Sequence, residues 1–284
     1  MKLLTSKKLK DIKFKKLAQQ VIELKKKNIN PKLAVILLGS DPASEIYVKH
    51  KEAACKTLGI ESLVIRLSDE TTQEELLKEI DKLNNDNTIN GILVQFPIPK
   101  GINKEEITKA VLPSKDVDGM NPINREIVKI NDGRYAPKVC TAEGIMELLK
   151  FYNINIANKN VVVYGRSNIV GTPIAELMVN SKANVSVVHS ETNKEYIVKV
   201  TKDADVIISA TGIRELIKPK DVKWGVVIVD VGVHRLPNNK VVGDIDRYLF
   251  EEVASAITPV PGGVGPMTIV MLTQNLVDLC KETQ

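Results

Sequence analysis

Short apolar runs recur along the chain, and helix-forming segments separate them. We predict strands at residues 33–38, 63–65, 92–94, 161–164, 185–188, 206–208 and 226–229. Most of these runs are continuously apolar rather than alternating, which is typical of strands that are covered on both faces. Strands that alternate with helices favour parallel sheets. The sequence therefore predicts the α/β fold class.

A cluster of turn-forming residues interrupts this pattern between Pro113 and Pro137 and predicts a domain boundary. A new helix, at about 142–152, then leads to the strand at 161. After Pro266, apolar residues return at helical spacing. We expect a first domain of residues 1–138, onto which a C-terminal helix at 267–284 folds back, and a second domain of residues 139–266.

Charge and cysteine content limit the partners. The chain has 40 basic and 35 acidic residues, a net charge of +5, and only 4% aromatic residues, so a nucleic-acid surface is disfavoured. Its three cysteines are an odd number without metal-binding spacing, which indicates a reducing compartment and no metal site. No secretory signal and no apolar run of about 18 residues are found. We expect a soluble, cytoplasmic protein without a membrane partner.

The helix that is predicted to begin at Pro42 carries a lysine on its mostly apolar face. Asp41 is a good N-cap and Pro42 suits the first helical position. The charged face carries Lys49, Glu52 and Lys56. The other, mostly apolar face carries Tyr47, Lys51, Ala54, Cys55 and Leu58. A buried lysine has a lowered pKa, as acid/base lysines do, so Lys51 is a candidate catalytic residue. The alternative is a snorkelling lysine beside a core tyrosine.

Two other polar positions could complete a site around Lys51. Gln95 follows the strand that ends at Val94, and α/β folds bind ligands at the carboxyl ends of their strands. Asp118 lies in the turn-rich segment 113–119, where a carboxylate could accept the N–H groups of a heterocycle. The alternatives are a glutamine that caps a loop and an ordinary turn.

A second site is predicted where the strand at 161–164 runs into Gly165, Arg166 and Ser167 and then into a helix. A strand, a glycine turn and a helix N-terminus form an anion site. The next strand ends in a His-Ser pair that includes Ser190. An arginine with a hydroxyl, and no carboxylate directly at the strand end, favours a 2′-phosphate and hence NADP. Glu191, one residue further, weakens this preference.

Two more strand ends complete a repeated βα pattern, and they contribute Thr211, Gly212 and Val233. Together these turns predict a dinucleotide-binding domain. The glycines at 165 and 171 are six apart, which departs from the usual G-x-G-x-x-G pattern, so an ordinary βα turn remains the alternative.

Seven motifs in order give the chain a resemblance to a known family. They are SEIYVKHKEAA (44–54), GILVQFPIP (91–99), PSKDVDGMN (113–121), VVVYGRSNIVGTP (161–173), ISATG (208–212), VDVGV (229–233) and TPVPGGVGPMT (258–268). With them the chain resembles the methylenetetrahydrofolate dehydrogenase/cyclohydrolase family. The resemblance implies an N-terminal three-layer α/β substrate domain, a Rossmann-like NADP-binding domain and a cleft between them. It also implies a homodimer, a folate substrate and a role in one-carbon metabolism.

The resemblance also assigns roles to residues. It makes Lys51 the central catalytic group, supported by Gln95. For the substrate, it makes Tyr47 a stacking residue, places Ser44 in the same motif and lets Asp118 hold the pteridine ring. The folate-lining loop corresponds to Pro261, Gly262 and Gly263. The cofactor residues near the 2′-phosphate correspond to Arg166, Ser167 and Ser190.

The implied activity is oxidation of 5,10-methylenetetrahydrofolate with NADP⁺, followed by hydrolysis of the methenyl product to 10-formyltetrahydrofolate. Two other functions share the glycine-turn chemistry. One is a Rossmann-type dehydrogenase that acts on a small acid or amino acid. The other is a regulatory protein that binds NADP and turns nothing over.

Overall fold

The computed structural model of the protein describes residues 1–282, so the last two residues of the predicted C-terminal helix lie outside the described residues. The chain forms two compact units. We call Met1–Lys10 with Thr141–Thr268 the six-strand unit, and Asp11–Cys140 with the chain from Ile269 onward the three-strand unit. The sequence did not predict that the first ten residues group with the six-strand unit.

Helices and strands alternate through most of the described chain. The helices are α1 Lys7–Lys26, α2 Pro42–Leu58, α3 Gln73–Asn85, α4 Lys104–Ala110, α5 Pro122–Ile130, α6 Cys140–Phe151, α7 Gly171–Asn180, α8 Lys194–Asp203 and α9 Val264–Glu282. The strands are β1 Lys2–Leu3, β2 Lys32–Leu38, β3 Glu61–Leu67, β4 Gly91–Gln95, β5 Asn160–Tyr164, β6 Asn184–Val188, β7 Val206–Ser209, β8 Val227–Asp230, β9 His234–Arg235, β10 Val241–Val242 and β11 Ala256–Ile257. Short 3-10 helices lie at Pro113–Lys115, Pro219–Asp221 and Arg247–Phe250.

The three-strand unit is built on a parallel sheet in the order β3-β2-β4. Its central strand, β2, is buried along all but its first residue. Apolar side chains from the sheet pack against α3 and α4, and Ile36, Ile80 and Ile107 are fully buried there. Each such side chain stabilises the fold by roughly 2 kcal/mol. The register aligns Leu37 of β2 with Gln95 of β4, so both strands end at one edge of the sheet.

The six-strand unit is built on a parallel sheet in the order β1-β11-β8-β7-β5-β6. The register pairs Tyr164 with both Val188 and Ser209, and Ser209 with Asp230. Four consecutive strands of the sheet therefore end at the same level. The loops that follow β5, β6, β7 and β8 leave from one edge, as ligand sites of open α/β sheets require.

Six of the seven predicted runs lie within observed strands, the run at 226–229 begins one residue before β8, and the parallel α/β prediction is confirmed. The two-residue strands β1, β9, β10 and β11 were not predicted, because so short a segment has no readable periodicity. Among residues 1–282, no helix is long and apolar enough to cross a membrane.

Candidate active site and cofactor site

Helix α2 presents Lys51 to the interior of the three-strand unit. The Asp41 side chain caps the helix by accepting the backbone N–H of Ser44, and Pro42 occupies the first turn, as predicted. The buried side of the helix carries Ser44, Val48, Lys51, Ala54, Cys55 and Leu58. Lys51 is only 6% exposed. The lysine is therefore inside and not snorkelling.

Tyr47 lies at the border of that buried stripe and is 36% exposed, which differs from the predicted inward position. The burial stripe follows Ser44, Val48 and Lys51 at intervals of four and three residues, so position 47 falls beside it. Ser44 is buried, and its hydroxyl donates to Asp41 Oδ2 at 2.8 Å. An exposed ring next to a buried lysine is suited to stacking on a flat ligand.

Gln95 is the direct partner of the lysine. Lys51 Nζ donates a hydrogen bond to Gln95 Oε1 at 2.8 Å, and both side chains are buried. The Gln95 amide is itself fixed, since its Nε2 donates to the Phe96 carbonyl oxygen at 2.6 Å. The structure thus brings together Lys51, on the helix that follows β2, and Gln95, at the end of β4. The sequence had predicted that these two polar residues lie at one edge of the sheet.

Burial lowers the pKa of Lys51 below its ordinary value, because desolvation penalises the charged amine. The negative charge of Asp118 acts in the opposite direction and raises the pKa. Desolvation has the largest effect and decides the direction. The site therefore holds an amine that gives up its proton more readily than a lysine in water.

The two acids of the 116–118 segment have different tasks. Asp116 is 3% exposed and its carboxylate accepts hydrogen bonds from Met120 N (3.1 Å), Asn121 N (2.8 Å) and Asn124 Nδ2 (2.9 Å). It holds the loop, while Asp118 is the acid whose charge acts on Lys51. The sequence named Asp118 and did not identify Asp116, because a holding acid and a binding acid look alike in a turn.

The loop that carries Asp118 packs closely against the backbone of Lys138. Gly119 has φ +69°, and a Cβ there would lie 2.3 Å from the carbonyl carbon of Lys138. Asn275, on α9, donates from Nδ2 to the carbonyl oxygens of Val117 and Lys138, at 2.9 Å each. The loop that carries Asp118 is therefore fixed from three sides before any ligand binds.

Asp116 makes stability depend on pH. Desolvation raises its pKa from 3.8 to about 6, although hydrogen bonds from Asn124, Asn121 and Met120 lower it. An acid whose pKa is raised in the folded state contributes stability that is present below pH 3.8 and is lost as pH rises through about 6. We therefore expect the unfolding free energy of the wild type, relative to Asp116→Asn, to fall by about 2–3 kcal/mol between pH 4 and 7.

Denaturant unfolding across this range measures the difference, and Asp81→Asn, an exposed acid on α3, is the matched control. A wild-type minus Asp116→Asn difference that stays constant with pH would contradict the assignment.

The predicted folate loop lies in the six-strand unit. Pro261, Gly262 and Gly263 connect β11 to α9. The Gly262 carbonyl oxygen accepts hydrogen bonds from the backbone N–H (2.9 Å) and the hydroxyl (2.8 Å) of Ser6. Ser6, which is 1% exposed, was missed in the sequence. Nothing in the sequence around Ser6 indicates that it contacts a residue more than 250 positions later in the chain.

The glycine turn after β5 is tight. Gly165 has φ +108°, and a Cβ there would lie 2.4 Å from the Ala210 carbonyl oxygen. Ser167 Oγ accepts the backbone N–H of Val170 at 3.2 Å, next to the start of α7. The turn therefore lets backbone pass close to the end of β7 and leads directly into a helix N-terminus, which is the arrangement that binds a pyrophosphate.

Arg166 and Ser190 both lie at this edge, and the Arg166 guanidinium is more than half exposed. Arg166 Nη2 contacts Glu191 Oε2 at 2.5 Å. Arg166 was predicted to bind a 2′-phosphate, and Glu191 was the residue that made NADP less favoured. The structure pairs these two residues with each other.

Two buried acids that the sequence did not identify organise the remaining cofactor turns. Asp244 Oδ2 accepts the backbone N–H groups of Thr211 (3.0 Å) and Gly212 (3.1 Å), and Asp244 Oδ1 pairs with His234 Nε2 at 2.8 Å. Asp230 accepts the N–H groups of Gly232, Asp244 and Ile245. Burial raises the pKa of Asp230 to about 6. Val233 follows this turn and is exposed.

These turns fit a dinucleotide. They supply backbone N–H groups, a helix N-terminus, an exposed cation and an open surface at Gly212, where an added Cβ would meet no atom within 4 Å. In the part of the chain that the structure describes, no group of three His, Cys, Asp or Glu side chains could hold a metal ion.

Comparison with known proteins agrees with both units. The family model "Tetrahydrofolate dehydrogenase/cyclohydrolase, catalytic domain" matches residues 4–118, and the corresponding "NAD(P)-binding domain" model matches residues 139–284. The bifunctional protein FolD of Acetivibrio thermocellus is 49% identical over 280 residues, which cover 99% of this chain and 97% of that protein.

Solved structures give the same result. The FolD methylenetetrahydrofolate dehydrogenase/cyclohydrolase of Campylobacter jejuni is 44% identical, covers 100% of both chains and has a TM-score of 0.95. The Trypanosoma brucei enzyme, solved with NADP cofactor and an inhibitor, is 33% identical over 99% of this chain and 97% of that one, with a TM-score of 0.93. The predicted family and the α/β fold class are thereby confirmed, and the chain belongs to the tetrahydrofolate dehydrogenase/cyclohydrolase family.

Proposed function

We propose that the protein oxidises 5,10-methylenetetrahydrofolate with NADP⁺ and then hydrolyses the methenyl product to 10-formyltetrahydrofolate, with Lys51 as the central catalytic residue. The observation that carries the proposal is the buried hydrogen bond between Lys51 and Gln95, beside Asp118. Family membership supplies the two reactions. The geometry supplies an amine with a lowered pKa, which a protein that only binds NADP has no need of.

The substrate residues have distinct roles. Asp118 accepts the N–H donors of the pteridine ring, and the exposed ring of Tyr47 stacks on the folate. Ser44 fixes the first turn of α2 through its hydrogen bonds to Asp41. Pro261, Gly262 and Gly263 line the folate site, and Ser6 fixes the loop that they form.

The cofactor residues all lie in the six-strand unit. Gly165 and Ser167 form the turn that receives the pyrophosphate, and Arg166 and Ser190 contact the 2′-phosphate. Thr211, Gly212 and Val233 border the rest of the dinucleotide, and Asp244 holds the 211–212 turn in place. When bound, NADP⁺ supplies the hydride acceptor for the first reaction.

Lys51 serves the chemistry because it is not a fixed cation. Loss of a hydride leaves a positively charged methenyl carbon between two nitrogens, and a neighbouring ammonium would disfavour that cation. A neutral amine does not, and it can take a proton from the water that attacks the carbon. Gln95 keeps the amine in position through the hydrogen bond to Nζ. The product is the 10-formyl compound, a one-carbon donor of the kind that purine biosynthesis consumes.

The absorbance of the methenyl compound tests the proposal. Purified protein with 5,10-methylenetetrahydrofolate and NADP⁺ should produce methenyl absorbance, and added methenyl compound should decay faster than without protein. Oxidation of a small hydroxy acid but not of the folate would establish the rival dehydrogenase. NADP binding without any turnover would establish the regulatory protein.

The setting of the enzyme follows from further features. We assign catalysis to residues 1–138 with the C-terminal helix, and NADP binding to 139–266. The buried thiols of Cys55, Cys140 and Cys280 form no disulfide in residues 1–282, which fits a reducing cytoplasm. A homodimer is supported by exposed apolar side chains on and beside the edge strand β6, namely Val179, Val187, Tyr196 and Val198. Size-exclusion chromatography with light scattering tests this, because a homodimer has twice the mass of a single chain.

A further inference from the structure

An ion pair occupies the place where the adenosine ribose of the cofactor would be recognised. Arg166 Nη2 and Glu191 Oε2 are 2.5 Å apart, and both side chains are more than half exposed. Arg166 is in the turn after β5, and Glu191 is in the loop after β6, the neighbouring strand. These two loops border the ribose in dinucleotide-binding folds.

The position of Glu191 is fixed by its own turn. Its backbone N–H donates to His189 Nδ1 at 3.3 Å, and the Thr192 N–H donates to the His189 carbonyl oxygen at 3.0 Å. The Thr192 hydroxyl in return accepts the His189 N–H at 3.0 Å. The backbone of Glu191 is therefore held in a closed four-residue turn, and the carboxylate that extends from this turn reaches Arg166.

The chemistry of the two side chains points to different cofactors. An acid at the end of the second strand binds the ribose 2′-hydroxyl of NAD, whereas a nearby arginine accommodates the 2′-phosphate of NADP. This chain has both groups, and they are paired with each other. A 2′-phosphate carries a charge of about −1.5 to −2, so it competes with Glu191 for Arg166 and is repelled by the same carboxylate.

From this competition we propose that Glu191 determines the cofactor preference of the site and lets it bind NAD⁺ as well as NADP⁺. With NADP⁺, the Arg166–Glu191 pair opens and the arginine moves to the 2′-phosphate, at the expense of affinity. With NAD⁺, the pair stays closed and the Glu191 carboxylate accepts the ribose 2′-hydroxyl. The inference rests on the proposed cofactor site and adds its specificity.

Two nucleotides that differ only in the 2′-phosphate test the inference without folate or turnover. Calorimetric titration of the full-length protein compares adenosine 2′,5′-bisphosphate with adenosine 5′-monophosphate. In Glu191→Gln, we expect the bisphosphate to bind about threefold to tenfold tighter, because an exposed pair and a repulsion are both removed. The monophosphate should bind about twofold to fivefold weaker, because a neutral amide is a poorer acceptor than a carboxylate.

Glu195→Gln is the matched control, since it removes the same charge from an exposed residue of α8 near this loop. An equal change in the affinity ratio in both variants, or no change in Glu191→Gln, overturns the inference. High salt should reduce the gain in Glu191→Gln, because salt screens exposed charges.

Arg166→Gln separates this inference from the proposed function. If this variant binds the bisphosphate as tightly as the wild type, the proposed assignment of Arg166 to the 2′-phosphate is wrong and the inference about Glu191 fails with it. If Arg166→Gln weakens bisphosphate binding while Glu191→Gln leaves the ratio unchanged, only the inference about Glu191 fails. A second readout is turnover of methylenetetrahydrofolate with NAD⁺. The wild type should show this turnover, and its absence would contradict the proposal that the site also binds NAD⁺.

Discussion

Replacing Lys51 by methionine should abolish hydrolysis of the methenyl compound while the folate still binds. Methionine keeps the length and apolar character of the side chain but removes the amine that Gln95 holds. General acid–base groups contribute about 10²- to 10⁴-fold to a rate, so we expect a loss of that order. The decay of methenyl absorbance measures the hydrolysis, and calorimetric titration with the folate measures binding.

Lys49→Met is the matched control, because Lys49 is an exposed lysine two residues earlier on the same helix. Its hydrolysis rate should equal that of the wild type. Thermal unfolding verifies that both variants are folded. A Lys51→Met protein that hydrolyses the methenyl compound at the wild-type rate would remove Lys51 from the mechanism.

Replacing Gly165 by alanine should disrupt the cofactor turn. The residue has φ +108°, and its new Cβ would lie 2.4 Å from a backbone oxygen of Ala210, which cannot move as a side chain can. Such strain combined with a backbone clash costs about 2–4 kcal/mol of unfolding free energy. We also expect NADP⁺ affinity to be lost, because the turn must open to admit the methyl group.

Gly101→Ala separates strain from the clash. Gly101 has a similar φ of +97°, but an added Cβ there would meet no atom within 4 Å. This variant should lose only about 1–2 kcal/mol of unfolding free energy and bind NADP⁺ as the wild type does. Equal losses of stability and affinity in the two variants would show that the close approach to Ala210 has no consequence.

Local features of the site could be predicted from the sequence because their signals lie within one element. The inward position of Lys51 follows from helical spacing along α2, and the Asp41 cap is read from two residues. The position of Gln95 follows from the strand that precedes it. The hydrogen bond between Lys51 and Gln95 needed only one more rule, that parallel strands end at one edge of a sheet.

Other features depend on contacts between distant segments. Asp116 and Asp118 are two residues apart in one turn, and only the three hydrogen-bond donors around Asp116 distinguish their tasks. Asp244 holds the 211–212 turn from more than 30 residues away. The short strand β1 forms by pairing with β11, which lies more than 250 residues later in the sequence and also pairs with β8. None of these contacts leaves a periodic signal in the sequence.

The pairing of Arg166 with Glu191 was beyond sequence reasoning for a related reason. The sequence placed both residues near one ribose and treated them as competing indications of NADP and NAD. It could not show that the carboxylate and the guanidinium form an ion pair. The structure turns this ambiguity into a specific hypothesis about cofactor preference.

The pKa of Lys51 in the folded protein tests the central claim most directly. In protein labelled with ¹⁵N-lysine, the Nζ signal that is absent from the Lys51→Met spectrum belongs to Lys51, and its shift can be followed with pH. Because burial lowers the pKa of Lys51, we expect its amine to titrate at lower pH than the exposed lysines. A Lys51 signal that titrates together with theirs would contradict it.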